Sequence, residues 1–159
     1  MTEEFKTVAV GGTFDEFHNG HKVLLLKAFD VSDQVLIGLS SDGLVQKLSK
    51  PHETAPYEQR LEELKAFLRK HDFSERAKII PLNDVYGVTL SSKGYLESLV
   101  VSKETEPTGI KINEKRKKLG LHPLHIAVIE MVPSENHIPV STTRIRSGEI
   151  DREGHLLKT

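Results

Sequence analysis

At 159 residues the chain has the length of one ordinary domain, and 37% hydrophobic with 28% charged residues is the composition of a globular protein with a buried core. Its 22 Lys and Arg against 23 Asp and Glu leave a formal net charge of −1, which argues against a general nucleic-acid binder. No cysteine is present, which excludes disulfides, thiolate metal ligands and cysteine nucleophiles. No apolar run approaches membrane-spanning length, and the opening Met1-Thr2-Glu3-Glu4 lacks the basic and apolar regions of a signal peptide, so a cytoplasmic protein is expected.

The first expected element is a strand over Thr7 to Val10, a β-branched apolar run without alternation, as in a strand covered on both faces. Gly11 and Gly12 then free the backbone for a turn and for close approach of a ligand. Asn19 is the expected cap of a helix running to about Phe29. A second buried strand is predicted over Val35 to Leu39, followed by the polar stretch Ser40-Ser41-Asp42 and a short helix to about Leu48. Lys50 to Thr54 reads as an exposed connection.

Pro56 suits the first turn of the clearest helix, whose Tyr57, Leu61, Leu64 and Leu68 fall at helical spacing with Phe67 beside them; this helix is expected to be scaffold. Ala77 to Leu82 is a third strand, with Pro81 expected to end its pairing. Asn83 to Gly94 is loop-rich. Leu99 to Ser102 is a fourth strand, and a helix from about Thr108 to Leu119 stops at Gly120, a residue suited to a left-handed cap. His125 to Glu130 is the fifth strand, Ser141 to Gly148 a last short helix, and the final residues, about 150–159, are expected to fray.

Five short apolar strands with helices between them predict an α/β fold: one parallel sheet, right-handed crossovers and a single domain over 1–159. Ligands of such sheets bind beyond the carboxyl ends of the strands. Those ends carry Gly11-Gly12-Thr13, Ser40-Ser41-Asp42, Asn83-Asp84 and Ser102-Lys103-Glu104-Thr105. Backbone N–H groups and a hydroxyl after a strand, facing a helix start, form an anion site for which phosphate is the natural ligand. His18 and His21, three residues apart, can donate hydrogen bonds to one phosphate. The alternatives are ordinary capping histidines or a metal site, the latter lacking an obvious third ligand. The pattern is neither a P-loop nor a dinucleotide fingerprint.

Gly12-Thr13-Phe14-Asp15 with His18-Asn19-Gly20-His21 resembles the signature of the nucleotidyltransferase superfamily marked by a His-x-Gly-His motif. Val140-Ser141-Thr142-Thr143-Arg144-Ile145-Arg146 is similar to that superfamily's second motif, Ile-Ser-Ser-Thr-x-Ile-Arg, with Thr142 keeping the hydroxyl of the usual serine. Further segments resemble the phosphopantetheine adenylyltransferases of the archaeal and eukaryotic type. They are Ile37 to Asp42, Pro56 to Leu61, Asp84 with Tyr86-Gly87, Ser102 to Thr105, Gly109 to Arg116 and Gly120-Leu121.

The resemblance implies a Rossmann-like five-stranded parallel sheet with helices on both faces, and transfer of an adenylyl group from ATP to 4′-phosphopantetheine with release of pyrophosphate. It implies that Thr13 sits between acceptor and α-phosphate, that His21 stabilises the transition state, and that His18 contacts the nucleotide phosphates. Gly12 and Phe14 would supply backbone donors. Ser141, Thr142, Thr143 and Arg146 would hold the β- and γ-phosphates. Glu104 and Arg116 would serve the nucleotide, and Ser40 with Lys47 the acceptor, Lys50 competing with Lys47. Asp15 would cap the turn with its carboxylate. Mg²⁺ would come with ATP, held mostly by phosphates and water rather than by protein ligands. The rest of the basic run at Lys111, Lys115, Lys117 and Lys118 reads as a solvated helix face, with neither nucleic acid nor membrane as partner. Another phosphate acceptor (nicotinamide mononucleotide, flavin mononucleotide, or a phospho-alcohol with CTP) and a non-catalytic nucleotide-binding module remain as alternatives.

Overall fold

The computed structural model describes residues 5–48, 53–90, 96–129, 142–146 and 149–157. Its sheet has five parallel strands, β1 (Phe5–Gly12), β2 (Ser32–Ser40), β3 (Ala77–Leu82), β4 (Ser98–Ser102) and β5 (His125–Ile129), in the order β3-β2-β1-β4-β5. The expected α/β sheet is therefore present. The order reverses direction after β3: β4 returns to the other side of β1, so a switch point lies between β1 and β4, beside the Gly11-Gly12-Thr13 end.

Both faces of the central strand are covered, which explains its unbroken apolar run. Val8 and Val10 enter a core built from Leu24, Leu25, Ala28 and Phe29 of α1 (Asn19–Asp30) and Leu64, Phe67 and Leu68 of α3 (Tyr57–Lys70). Ala9, on the opposite face, packs with Leu99, Val101 and Leu124 and with Ile112 of α4 (Glu106–Lys118). Each buried Leu, Val or Phe contributes about 1.5–3 kcal/mol, so the two layers together hold the sheet flat against its helices. Between them α2 (Asp42–Lys47) follows β2, and α5 (Thr142–Arg146) lies near the carboxyl end of the chain.

Several expectations are corrected by the packing. Gly11 and Gly12 do not form the turn; both remain in β1, paired in register with Gly38 and Leu39. A Cβ on Gly38 would stand 2.7 Å from Leu82, so glycine is needed there for close approach rather than for a bend. Pro81 does not end β3, which pairs with β2 through Leu39↔Pro81 and Ser40↔Leu82. β3 is an edge strand, where a residue without an N–H is tolerated. α4 starts at Glu106, two residues early, because Pro107 sits in its first turn, where no N–H is needed. Gly120 follows α4 at φ +76°, as its cap position requires.

The expected fraying from about residue 150 is also wrong for 149–157. Ile150 is fully buried and bridges Leu156, and Asp151 accepts hydrogen bonds from the backbone N–H groups of Glu153 and His155. A short apolar anchor and an Asx turn thus order a segment whose composition alone suggests a tail.

Candidate active site

The turn from β1 to α1 is held by aromatic packing and by its own histidines. Phe14 and Phe17 are buried, and the Phe14 ring lies 5.2 Å from that of His21. His18, rather than Asn19, caps α1: its Nδ1 accepts the backbone N–H groups of Gly20 (3.0 Å) and His21 (3.4 Å). The His18 N–H in turn donates to His21 Nδ1 at 3.1 Å, which closes a capping box made of two histidines.

That exchange fixes the chemistry of both rings. Each Nδ1 is an acceptor, so each neutral imidazole carries its proton on Nε2 and presents an N–H donor there. The rings stack with centroids 3.7 Å apart and planes 17° apart. Burial, aided by the nearby Arg152 and Lys22 and opposed by Asp15, lowers His18 to about 4, so it is neutral near pH 7. His18 is 6% exposed, whereas His21 is half-buried.

Thr13 and Ser40 meet at the adjacent strand ends: Thr13 Oγ1 lies 3.5 Å from Ser40 Oγ, which itself donates to the Gly12 carbonyl at 3.3 Å. Behind them is a residue that sequence reasoning missed. Arg60 of α3 is 1% exposed, and its guanidinium donates to the carbonyls of Ala55 (2.8 Å), Thr13 (3.1 Å) and Ser40 (2.7 Å) and to the Asp42 carboxylate (3.0 Å). One buried cation therefore ties the ends of β1 and β2 to the start of α2. The available signal was an arginine within the apolar stripe of α3, between Tyr57 and Leu64, where a solvated face would not place one.

The two ends of the chain meet at Asp15. Its buried carboxylate, expected to cap the turn, instead accepts the Ala55 N–H at 3.0 Å from before α3 and takes two hydrogen bonds from Arg146 of α5, each 2.8 Å. A further Arg146 nitrogen is 3.5 Å from Glu16. Arg152 pairs with Glu16 and, on α3, with Glu63. Arg146 and Arg152 thus act first on the carboxylates of the turn.

Other candidates lie apart from this cluster. Lys47 is exposed at the end of α2, and Glu104 is exposed in the turn after β4. Arg116 is buried and committed to the carbonyls of Thr89 (2.6 Å) and His122 (2.7 Å), joining the loop after β3 to the loop after α4. Thr142 and Thr143 open α5; their side chains, Ser141 and the alternative Lys50 lie outside the described residues. Among the described residues no three His, Asp or Glu groups gather as a metal site, and no helix is long and apolar enough to cross a membrane.

A parallel sheet with its switch point beside a histidine-capped helix, both imidazoles presenting Nε2–H donors, defines a phosphate-handling protein of the nucleotide-binding α/β class. The cytidylyltransferase-like family model matches residues 9–148. The chain is 42% identical to the phosphopantetheine adenylyltransferase of Methanothermobacter thermautotrophicus, over 99% of this chain and 93% of that protein. It is 43% identical to the protein of the same name from Pyrococcus abyssi, over 98% of each. The chain belongs to the cytidylyltransferase-like family and, within it, to the phosphopantetheine adenylyltransferases, which are nucleotidyltransferases.

Among solved structures it resembles a protein of unknown function from Archaeoglobus fulgidus, with TM-score 0.69 and 32% identity over 79% of this chain and 89% of that one. A putative nicotinate-nucleotide adenylyltransferase from Vibrio parahaemolyticus shares the fold at TM-score 0.57 and 15% identity, covering 91% of this chain and 80% of that one.

Proposed function

We propose that the protein transfers the adenylyl group of ATP to 4′-phosphopantetheine. An oxygen of the acceptor phosphate attacks the α-phosphorus, a new P–O bond forms, and the bond to the β-phosphate bridging oxygen breaks. The products are dephospho-coenzyme A and pyrophosphate. The attacking oxygen is already anionic, so the site needs no general base and no nucleophilic side chain. Its work is alignment of two phosphates and stabilisation of charge.

The observation that carries this reading is the histidine pair with both Nδ1 atoms occupied by backbone N–H groups. Such rings are oriented before substrate arrives, and their Nε2–H donors require no reorganisation as charge develops on the α-phosphate. His21, the more exposed ring, serves the transition state, and His18 the nucleotide phosphates. Thr13, with its hydroxyl beside Ser40, lies between acceptor and α-phosphate, and the backbone of Gly12 and Phe14 supplies further donors.

Ser141, together with Thr142 and Thr143 that open α5, holds the leaving pyrophosphate. Arg146 holds the turn through Asp15, and its contact with phosphate requires that charge to be shared with Asp15 and Glu16. Lys47 is solvent-facing and long enough to meet an acceptor phosphate, while Glu104, beyond β4, serves the nucleotide across the switch point. Arg116, bound to two loop carbonyls, serves the nucleotide by shaping the loop that borders it. Mg²⁺ bound by the ATP phosphates and water would neutralise charge on the departing pyrophosphate.

Pyrophosphate release measured with Mg²⁺, ATP or CTP, and each candidate acceptor in turn tests the assignment. Turnover with ATP and 4′-phosphopantetheine well above every other pair is expected. Robust release only with nicotinamide mononucleotide, flavin mononucleotide or a phospho-alcohol would overturn it.

A further inference from the structure

The turn carrying the histidines is strained. Phe14 and Glu16 both adopt positive φ, 52° and 49°, which for non-glycine residues costs on the order of 1 kcal/mol or more each and persists only where surrounding contacts hold it. Asp15 is held by Arg146 and by the Ala55 N–H. Glu16 is held by the carboxyl-terminal segment: Arg152 Nε donates to Glu16 Oε2 at 3.0 Å, and the same guanidinium reaches both Glu63 oxygens at 3.2 and 3.3 Å.

The backbone of that segment closes on the helix start as well. The Asn19 N–H donates to the Arg152 carbonyl at 3.2 Å, and Asn19 Nδ2 to the Glu153 carbonyl at 3.3 Å. Buried Ile150 and the Asp151 turn keep the segment in place. Glu16 and Asn19, the residues flanking Phe17-His18, are thus both bound to one hook.

We propose that Arg152 is a positioning residue for the histidine pair. Through Glu16, Glu63 and its own carbonyl it clamps the Glu16–Asn19 turn, and so sets where the Nε2–H groups of His18 and His21 point toward the transferring phosphate. This assignment rests on the adenylyl-transfer reading for its catalytic consequence only. The clamp itself is a property of the folded chain. The charges that act on His18 are Asp15 in the turn, Lys22 on α1 and Arg152, and the ring stacked on it is that of His21. Of these, Arg152 and Lys22 disfavour its protonation and Asp15 favours it.

The test compares wild type with Arg152→Ala, Arg152→Lys and Glu63→Gln by steady-state kinetics, thermal unfolding and NMR titration of the His18 Cε1–H. Arg152→Ala is expected to lower kcat about tenfold to a hundredfold with the KM for ATP within about threefold, as for a misplaced rather than a missing group. Its His18 midpoint moves to higher pH, because a repelling cation is gone. Arg152→Lys keeps the midpoint but recovers only part of kcat, since lysine cannot span two carboxylates with a planar fork. Glu63→Gln, which loosens one arm, falls between wild type and Arg152→Ala.

Wild-type kcat with an unmoved His18 midpoint in Arg152→Ala overturns the proposal. So does a kcat loss that merely follows the unfolded fraction while the midpoint stays put. If wild type itself releases no pyrophosphate with any acceptor, the adenylyl-transfer reading fails by itself. The His18 titration then still decides whether Arg152 stands against the pair, and an unmoved midpoint in Arg152→Ala overturns the clamp without any activity.

Discussion

Arg146 and Asp15, 131 positions apart, form a two-point ion pair with both N–O distances at 2.8 Å. Asp15 is 1% exposed and the Arg146 side chain 24%, so the pair is only partly shielded from water. It joins the last helix to the first turn, and the two motifs of the chain are brought together by this contact.

Breaking that pair from both sides is expected to cost less than the two single breaks added together. Asp15→Asn leaves the guanidinium beside a neutral amide and should lower stability by about 2–4 kcal/mol, at or below the usual cost of unpairing a buried ion. Combined with Arg146→Met, the loss should fall short of the sum by about 1 kcal/mol or more. Urea unfolding of the four proteins in the cycle measures this, and strict additivity would show that the pair carries no coupling.

Acid should destabilise the protein through His18. The unfolded chain takes up this proton near pH 6.5 and the native state only near 4, so between those values the unfolded state binds more protons and stability falls as pH falls. At about 1.36 kcal/mol per pKa unit, the full window contributes about 3 kcal/mol. His18→Asn keeps a capping oxygen but no titrating ring. The stability difference between wild type and His18→Asn, followed by denaturation from pH 7 to 4.5, should change steadily in favour of the variant. A flat difference would mean His18 protonates freely in the fold.

Arg60→Met removes the guanidinium donors from the buried Ser40 carbonyl, from the part-buried Thr13 and Ala55 carbonyls and from the exposed Asp42 carboxylate, which keeps the Tyr57 N–H. One buried and two part-buried acceptors left without this donor, at about 1–3 kcal/mol each, place the expected loss near 3–5 kcal/mol, because methionine refills the volume and the part-buried groups relax toward water. With about 2–4 °C per kcal/mol for a chain of this size, Tm should drop by roughly 6–20 °C. Since Thr13 and Ser40 lose their shared anchor, KM for the acceptor should rise as well; calorimetry and kinetics on the same sample separate the two effects.

His21→Ala is expected to lower kcat by roughly 10²–10³, the range for removing one charge-stabilising donor, with nucleotide affinity little changed. ATP binding by calorimetry beside turnover checks the division. A large affinity loss at normal turnover would assign His21 to ground-state binding instead.

Much of the fold was legible because it depends on neighbours in sequence. The unbroken run Val8 to Val10, the α3 stripe of Tyr57, Leu61, Leu64 and Leu68, and the stop at Gly120 all follow from local periodicity and backbone preference. The fold departs from local preference where tertiary placement outweighs it. Pro81 stays paired because β3 is at the sheet edge, and residues 149–157 are ordered because Ile150 finds a core. Of the candidate site, the histidine turn could be read from residue types, but Arg60 was hidden within a helix that otherwise looks like scaffold.

The sequence by itself determined a parallel α/β sheet with a phosphate-facing turn after its first strand, since strand periodicity, helix starts and the His18–His21 spacing are local quantities. Only the tertiary structure decided which imidazole nitrogen carries the proton, that Arg146 is paired with Asp15, and that Arg60 and Arg152 hold the turn. The physical reason is range. A guanidinium out of bulk water goes to whatever carbonyl or carboxylate the fold delivers, and here those partners lie 47 positions away for Arg60 and Thr13 and 136 for Arg152 and Glu16.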